Sequence, residues 1–402
     1  TLRHTLFPYT TLFRSQQVLH LFTFAIFGPT IIAARMTTVL CFAGVVALVG
    51  FLGWRWGGRW AALFGVFLLL TNYFAFVYSR IALSEFPMTM FVLLAIGLAL
   101  QAGHERRGWL YTWLATAAFL LAILTKTSAA PVFPAFLFAL SWTQWGRKGW
   151  WKKPLAAGAV GGGLYLAYRI FTRIAFPHEV AFFHSINVGM QLDLNPYNIV
   201  MRWVQLQNDL RRALPIFRYI MFYGIPLALI FFRGFRRNPL ILSIIVFVLG
   251  YTAILGVYDN PQPRYWIPYV PCSCIALGVL LQELWERTRR DRRWWAGTGI
   301  MLALGAISVG DNVKSIVEVM ADPKYTLRDT AQSINETIRE HGGDPEETVL
   351  LGHYSHTIAL YGGPLPLNDL YASRPLEFRL DKYQPDYLLT QDPVEAKIIA
   401  MV

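Results

Sequence analysis

Residues 59–107 read RWAALFGVFLLLTNYFAFVYSRIALSEFPMTMFVLLAIGLALQAGHERR, and the fold class can be predicted from this stretch. It holds two apolar runs, 61–78 and 87–103, which are joined by a short turn. Each run is close to the roughly 20 residues that an α-helix needs to cross about 30 Å of hydrocarbon. The turn carries the single cation Arg80, whereas arginines gather at both outer ends of the stretch. Because positive charge is retained in the cytoplasm during insertion, the stretch predicts two membrane spans joined by an outward-facing turn.

The same pattern repeats along the chain. Apolar runs are predicted as spans at roughly 29–53, 61–78, 87–103, 109–125, 129–145, 154–175, 215–232, 239–257, 265–283 and 294–310. Every second connection is strongly basic: Arg55 and Arg59; Arg106 and Arg107; Arg147, Lys148, Lys152 and Lys153; Arg233, Arg236 and Arg237; and Arg287 through Arg293. The short connections between them carry one cation each, Arg80, Lys126 or Arg264. The alternation predicts a polytopic α-helical membrane protein with about ten transmembrane helices.

The composition excludes several other classes of protein. Of the 402 residues 55% are hydrophobic and only 15% are charged, whereas a soluble domain carries about 25% charged residues. The net charge of +12 is concentrated in the basic connections, where anionic headgroups are the natural partner, so we predict no nucleic-acid binding. The three cysteines, Cys41, Cys272 and Cys274, lie within apolar runs. We interpret them as buried hydrophobic residues that form neither a disulfide nor a metal site.

The sequence divides into three parts. Residues 1–15 fit neither a signal peptide nor the apolar run that follows, and they resemble a translated sequencing adapter, so we interpret them as non-native. Residues 16–310 form the predicted transmembrane domain. The predicted orientation of the spans leaves 311–402 outside the cytoplasm, where we expect a small and incomplete α/β domain. A helix and two short strands are predicted there, at 326–341, 348–352 and 387–390.

Ionisable side chains at the outer ends of the spans are the candidate site. Such groups are costly at membrane depth and usually have a function. The candidates are Arg80, Lys126, Arg264, Tyr265, Glu85, Asp259, His178 and Glu179. A simpler interpretation stays open, in which Arg80 pairs with Glu85 at the interface and the other cations anchor span ends at lipid headgroups.

Four segments together resemble the GT-C membrane glycosyltransferases. They are residues 27–35, the run YSRIALSEFP at 78–87, LAILTK at 121–126 and RYWIP at 264–268. In order, spacing and predicted sidedness they are similar to the dolichyl-phosphate-mannose–protein mannosyltransferase superfamily. That superfamily includes bacterial aminoarabinose and lipopolysaccharide-core sugar transferases. The resemblance covers nearly everything from Gln16 to the tail.

The resemblance implies an enzyme of the inner (plasma) membrane. It would move a sugar from a polyprenyl-phosphate donor to an extracytoplasmic acceptor, which is a cell-envelope glycan, a lipid or a protein. A donor that is linked to a lipid needs no nucleotide-binding domain, so we expect no cofactor. We assign no metal site to these residues, because outer acidic side chains are too few to build one convincingly, and metal dependence stays open.

The resemblance also implies roles for the candidate residues. Cations from several span ends would bind the donor phosphate, with an aromatic neighbour: Arg80, Lys126, Arg264 and Tyr265. Glu85 is interpreted as an assisting carboxylate, because the family carries its main acidic residue in a first outer loop, which we expect to precede Gln16. Further candidates are Asp259, His178 and Glu179.

Two hypotheses from other classes make different predictions. A transporter or flippase predicts two halves related by hydropathy symmetry and helices broken near the middle of the membrane, and the sequence has no such repeat. A non-catalytic assembly subunit predicts that Arg80, Lys126 and Arg264 lie far apart in the fold.

Overall fold

The computed structural model describes residues 15–400 apart from 29, 82, 104–105, 176, 178–194, 199, 203, 205–207, 209–218, 258–262, 323–325, 353–354, 356–357, 359–362, 369–375 and 392–395. The helices are α1 (Ser15–Phe27), α2 (Ile31–Gly57), α3 (Arg59–Leu70), α4 (Tyr73–Ser79), α5 (Glu85–Gln101), α6 (Gly108–Thr125), α7 (Val132–Trp142), α8 (Lys152–Ala175), α9 (Ile225–Phe231), α10 (Arg233–Arg237), α11 (Pro239–Val257), α12 (Tyr269–Arg290), α13 (Trp295–Ala321), α14 (Thr326–Glu340) and α15 (Leu376–Tyr383). Shorter 3₁₀ turns lie at Thr127–Ala129, Pro263–Trp266 and Arg292–Trp294, and a π-helix lies at Ile220–Gly224. The strands are β1 (Val349–Gly352), β2 (Leu365–Asn368), β3 (Tyr387–Gln391) and β4 (Ala396–Ala400).

Several of these helices are suited to a membrane. Within the described residues, five have the length and apolar composition to cross one, namely α2, α6, α11, α13 and α12 with the turn before it. A sixth candidate is α3 together with α4, which bend by 64° at their junction. Shorter apolar helices include α5 and the segment Thr127–Trp142. The chain is therefore a largely helical membrane protein with several spans, and the figure of about ten spans stays a prediction.

The predicted span over 61–78 is not one continuous helix but is broken between α3 and α4. Asn72 caps α4, because its Oδ1 accepts a hydrogen bond of 2.9 Å from the Ala75 backbone N–H. The Tyr73 N–H in turn donates to Oδ1 of Asn312, in α13, at 2.8 Å. A capping asparagine offers the backbone an alternative to a continuous helix, so the chain turns here before it reaches α5.

Helix α12 is the most buried of the candidate spans. Its apolar window, counted with the preceding turn, is 89% buried, whereas that of α13 is only 11% buried. Helix α12 packs along α3, where Gly278 lies against the Ala61 carbonyl and Gly65 against Cys274. Small residues at such a crossing let two backbones approach closely, which is typical of helix packing in membranes. Helix α13 leaves large apolar side chains exposed, as a surface for hydrocarbon requires.

Helices α5 and α6 form an antiparallel hairpin that positions the candidate site. They pack against each other along their length, and α7 packs against both α5 and α11. Glu85 begins α5 and Thr125 ends α6, so these two residues lie at the same end of the hairpin. The opposite end is formed by Gln101 and Gly108, beside the basic connection.

The C-terminal residues combine helices with a four-stranded sheet. The strand order is β2-β1-β3-β4, in which β1 is parallel to both neighbours and β4 is antiparallel to β3. Ile334 and Ile338 of α14 form a core with Leu350 and Leu389 of the sheet, so the amphipathic helix and the two strands predicted here are confirmed. Helix α13 runs on to Ala321, beyond the predicted span end at 310. The domain boundaries and the extracytoplasmic location of this part stay predictions.

Candidate active site

Three segments that are distant in sequence bring charged side chains together on one carboxylate. Lys126 Nζ lies 2.5 Å from Glu85 Oε1, and Arg264 Nε lies 3.6 Å from the same oxygen. The Tyr265 ring lies beside both cations, with its centroid 4.2 Å from Lys126 Nζ and 5.6 Å from Arg264 Cζ. We call these four residues the Glu85 cluster.

Glu85 is positioned by the start of α5. It is the first residue of the helix, and Pro87 follows within the first turn, where a missing N–H has no consequence. A carboxylate in this turn is stabilised by the helix dipole. Phe86 is fully buried and its ring contacts Phe42 of α2 edge-on, with centroids 5.0 Å apart. The buried neighbour thus fixes the helix start and, with it, the place of the carboxylate.

Lys126 is positioned by the end of α6. It is the C-cap residue, with extended backbone at φ −156°, and its N–H donates to the Ala122 carbonyl at 3.0 Å. A cation is favourable at this end of a helix, where the dipole is negative. The 3₁₀ turn Thr127–Ala129 then leads directly into α7, so little chain is free to move the lysine away.

Arg264 and Tyr265 lie in the 3₁₀ turn that precedes α12. The next residue, Trp266, is fully buried, and its ring contacts Tyr269 at 4.6 Å and Phe222 at 5.3 Å between centroids. The Tyr269 hydroxyl in turn lies 2.6 Å from Thr252 Oγ1 of α11. These buried aromatic contacts anchor the turn, so the cation and its aromatic neighbour project from a fixed base.

Burial differs sharply within the Glu85 cluster. The Glu85 side chain is 1% exposed, that of Lys126 is 17% exposed and that of Arg264 is 42% exposed. Removing a carboxylate from water costs several kcal/mol unless cations and hydrogen bonds offset it. Here two cations share Oε1, while Oε2 is buried without a hydrogen-bond partner among the described residues. The carboxylate is therefore buried, whereas the Arg264 side chain is partly exposed.

Arg80 is not joined to the cluster by any ion pair or hydrogen bond between described residues. It caps the C-terminus of α4, its side chain is exposed, and its guanidinium carbon lies 3.9 Å above the Phe76 ring. The simple pairing of Arg80 with Glu85 is thus not what the structure shows, because Glu85 pairs with Lys126 and Arg264 instead.

The remaining candidates, Asp259, His178 and Glu179, lie outside the described residues. In the part of the chain that the structure describes, no three His, Cys, Asp or Glu side chains come together as a metal site would require.

Tyr251 and Ser128 lie near the cluster and were not among the sequence candidates. Tyr251 of α11 is fully buried and interacts electrostatically with Glu85 and Tyr265. Ser128 follows Lys126 closely, and its Oγ lies 3.7 Å from Met88 Sδ. Their polar groups near the ends of apolar runs were the available signal, since a hydroxyl at membrane depth needs a partner.

A family model matches part of the chain. The family is described as dolichyl-phosphate-mannose-protein mannosyltransferase, and the match covers residues 18–170. That range includes Glu85 and Lys126 but not Arg264. No curated protein sequence matches the chain.

Solved structures share the fold at low sequence identity. ArnT from Cupriavidus metallidurans, crystallised with undecaprenyl phosphate, superposes with a TM-score of 0.62 at 17% identity, over 92% of this chain and 77% of ArnT. The oligosaccharyltransferase AglB from Archaeoglobus fulgidus, in complex with an inhibitory peptide and a dolichol-phosphate, gives a TM-score of 0.57 at 13% identity, over 96% of this chain and 62% of AglB.

The helical arrangement is therefore the GT-C fold. The match of residues 18–170 to the mannosyltransferase family model is consistent with this fold.

Proposed function

We propose that this protein transfers a sugar from a polyprenyl-phosphate donor to an extracytoplasmic acceptor. The observation that carries the proposal is the convergence of Lys126 and Arg264 on one buried carboxylate. The solved structures of ArnT with undecaprenyl phosphate and of AglB with a dolichol-phosphate add support for the donor class. The acceptor is proposed only as a cell-envelope glycan, lipid or protein.

The charge of the cluster suits a phosphodiester. Lys126 and Arg264 contribute two positive charges and Glu85 one negative charge, so these three side chains carry a formal charge of +1. A sugar linked to a polyprenyl chain through one phosphate carries a single negative charge and would balance them. Because a polyprenyl chain stays in the bilayer, its headgroup must be bound where spans end, and the cluster lies at such an end.

The same cations would help the reaction itself. The acceptor oxygen forms a bond to the anomeric carbon, the bond from that carbon to the phosphate oxygen breaks, and polyprenyl phosphate leaves with one additional negative charge. Lys126 and Arg264 would stabilise that growing charge, which is the largest contribution that fixed polar groups usually make. The acceptor's proton passes to a base that we assign to no residue of the cluster.

We propose that Glu85 acts as a positioning residue. Its Oε1 atom is already engaged by both cations of the cluster. Its buried place fixes the ammonium of Lys126 and the guanidinium of Arg264 in one geometry. Donors that are already fixed need no reorganisation when charge develops on the leaving phosphate. The buried carboxylate would therefore act by holding both cations in that geometry.

The hypothesis of a non-catalytic subunit predicts that the cations are dispersed. Two of the three instead share Glu85 Oε1, and this juxtaposition favours a binding site for an anion. We therefore retain sugar transfer as the proposed function. We further propose the inner membrane as its location, with the sheet-containing C-terminal part outside the cytoplasm, and a reaction without an additional cofactor.

Donor binding tests the proposal directly. Lys126→Ala should weaken binding of a polyprenyl phosphate to the purified chain by roughly ten- to hundredfold, since a charge-assisted hydrogen bond contributes about 1.5–3 kcal/mol. Lys126→Arg should retain most of the affinity, because it keeps the charge. The measurement is a titration in detergent, with the corresponding polyprenol, which has no phosphate, as the second ligand.

Lys314 provides the matched control. It is an exposed lysine of α13 that pairs with Glu318 at 3.9 Å, and Lys314→Ala should leave the affinity unchanged. The proposal fails if Lys126→Ala binds polyprenyl phosphate as the unaltered protein does. It also fails if the polyprenol binds as tightly as its phosphate.

A further inference from the structure

A second concentration of cations lines a cavity of about 900 Å³ away from the Glu85 cluster. Four of its lining residues are arginines: Arg55 in the last turn of α2, Arg106 and Arg107 between α5 and α6, and Arg147 between α7 and α8. Two tryptophans, Trp56 and Trp142, also line it. We call this feature the basic cavity. Its volume is within the range of about 300–1,000 Å³ that is typical of small-molecule sites.

The basic cavity and the Glu85 cluster lie at opposite ends of the α5–α6 hairpin. Gln101, at the end of α5, and Tyr111, in the first turns of α6, line the cavity, whereas Glu85 begins α5. Helix α5 has 17 residues, and at 1.5 Å per residue it separates the two sites by about 25 Å. The cavity therefore cannot serve the same headgroup as the cluster.

The charge of the basic cavity is not balanced by its own lining. None of the described lining residues is acidic. The Arg147 guanidinium donates to the Gly103 carbonyl at 2.8 Å. It also repels Lys153, whose ammonium donates to the Ala102 carbonyl at 2.8 Å. The lining therefore presents positive charge that an approaching anion would balance.

The aromatic lining indicates where that anion comes from. Tryptophan is enriched at the boundary between hydrocarbon and headgroups, and Trp142 is a partly exposed residue at the end of the apolar helix α7. The Trp56 ring N–H is buried and has no hydrogen-bond partner among the described residues, so a donor is available beside the arginines. Arginine is also the side chain best shaped to hold phosphate oxygens in pairs.

We propose that the basic cavity binds the headgroup of an anionic membrane phospholipid, and that a headgroup with two phosphates, as in cardiolipin, suits it best. Four guanidinium groups provide two for each phosphate, and the two tryptophans line the same cavity. Basic pockets between transmembrane helices on the cytoplasmic side are known to bind such headgroups. The positive-inside pattern predicts the cytoplasmic side for these connections. The site does not depend on the proposed transfer reaction.

Lipid titration of the full chain in phosphatidylcholine nanodiscs tests this inference. Arg106→Gln combined with Arg107→Gln should lower the affinity for added cardiolipin by about tenfold or more, because each change removes a charged donor. Both side chains are exposed, so the fold should tolerate the change, and the thermal unfolding midpoint should stay within error. Phosphatidylglycerol, with one phosphate, should bind more weakly than cardiolipin to the unaltered protein.

Arg236→Gln combined with Arg237→Gln is the matched control. These arginines are also exposed and basic, and they belong to a connection predicted on the same side, but they do not line the cavity. The control should retain the affinity for cardiolipin. Equal losses in the two double variants would overturn the inference, since general surface charge would then explain binding. Displacement of cardiolipin by inorganic phosphate would also overturn it, because the site would then select a free anion.

Discussion

At the scale of single residues, the most consequential feature is that Glu85 is shared by two cations. A buried carboxylate with one cation is neutral overall, but two cations leave an excess positive charge that an anionic substrate can balance. The excess positive charge lies on the solvent-exposed side of the cluster, because Arg264 is the most exposed of the three side chains. The carboxylate therefore holds the two cations in place, and the site stays cationic because only one of their two charges is offset.

Replacement of the Glu85 carboxylate measures how much it contributes to the free energy of unfolding. Glu85→Gln keeps the side-chain size but leaves Lys126 and Arg264 without a counter-charge. We expect the free energy of unfolding to fall by about 1–3 kcal/mol, less than the 3–5 kcal/mol typical of a fully buried pair, because Arg264 is 42% exposed. Thermal and denaturant unfolding in one detergent would measure the loss.

A double-mutant cycle provides the control for that prediction. Glu85→Gln combined with Lys126→Met should destabilise the protein by less than the sum of the single changes, since each removes the same interaction. Strictly additive losses would contradict a direct Glu85–Lys126 pair.

At the scale of elements, the fold depends on a close approach between α3 and α12. A Cβ added at Gly278 would lie 2.3 Å from the Ala61 carbonyl oxygen, and a backbone atom cannot move aside as a flexible side chain can. The short helix α3 is kept against the buried helix α12 by this contact, and the break at Asn72 then redirects the chain toward α5. Local capping and small residues therefore act together to place the outer turn.

Gly278→Ala should therefore destabilise the protein. Separating α3 from α12 to admit one methyl group is an overpacking change, which typically costs about 1–3 kcal/mol. Gly297→Ala in α13 is the matched control, because a Cβ there has no atom within 4 Å. The control should be neutral or more stable by at most about 1 kcal/mol, since alanine favours a helix. Thermal unfolding midpoints that fall equally in both variants would argue against the close contact.

At the scale of the whole molecule, the hairpin α5–α6 separates two cationic sites of different kinds. The Glu85 cluster combines acid, cations and a tyrosine, whereas the described lining of the basic cavity has cations without acids. The charge pattern predicts that the first faces outward and the second faces the cytoplasm. The same pattern predicts that the C-terminal sheet lies outside.

Labelling from one side of the membrane checks this orientation. The native cysteines Cys41, Cys272 and Cys274 are buried, so an impermeant maleimide should react chiefly with introduced ones. Glu340→Cys, on the exposed face of α14, should react in intact cells or spheroplasts. Lys148→Cys, in a basic connection, should react only after permeabilisation. The reverse result would invert the predicted topology.

The sequence by itself determined the helical membrane class, the candidate segments that carry Glu85, Lys126 and Arg264, and the helix α14 with strands β1 and β3. These features depend on hydropathy, charge and periodicity, which are local properties of the chain. The tertiary structure alone decided that Lys126 and Arg264 meet on Glu85 while Arg80 stacks on Phe76. It also decided the break at Asn72, because contacts between distant segments depend on how helices pack, and packing is not a local property.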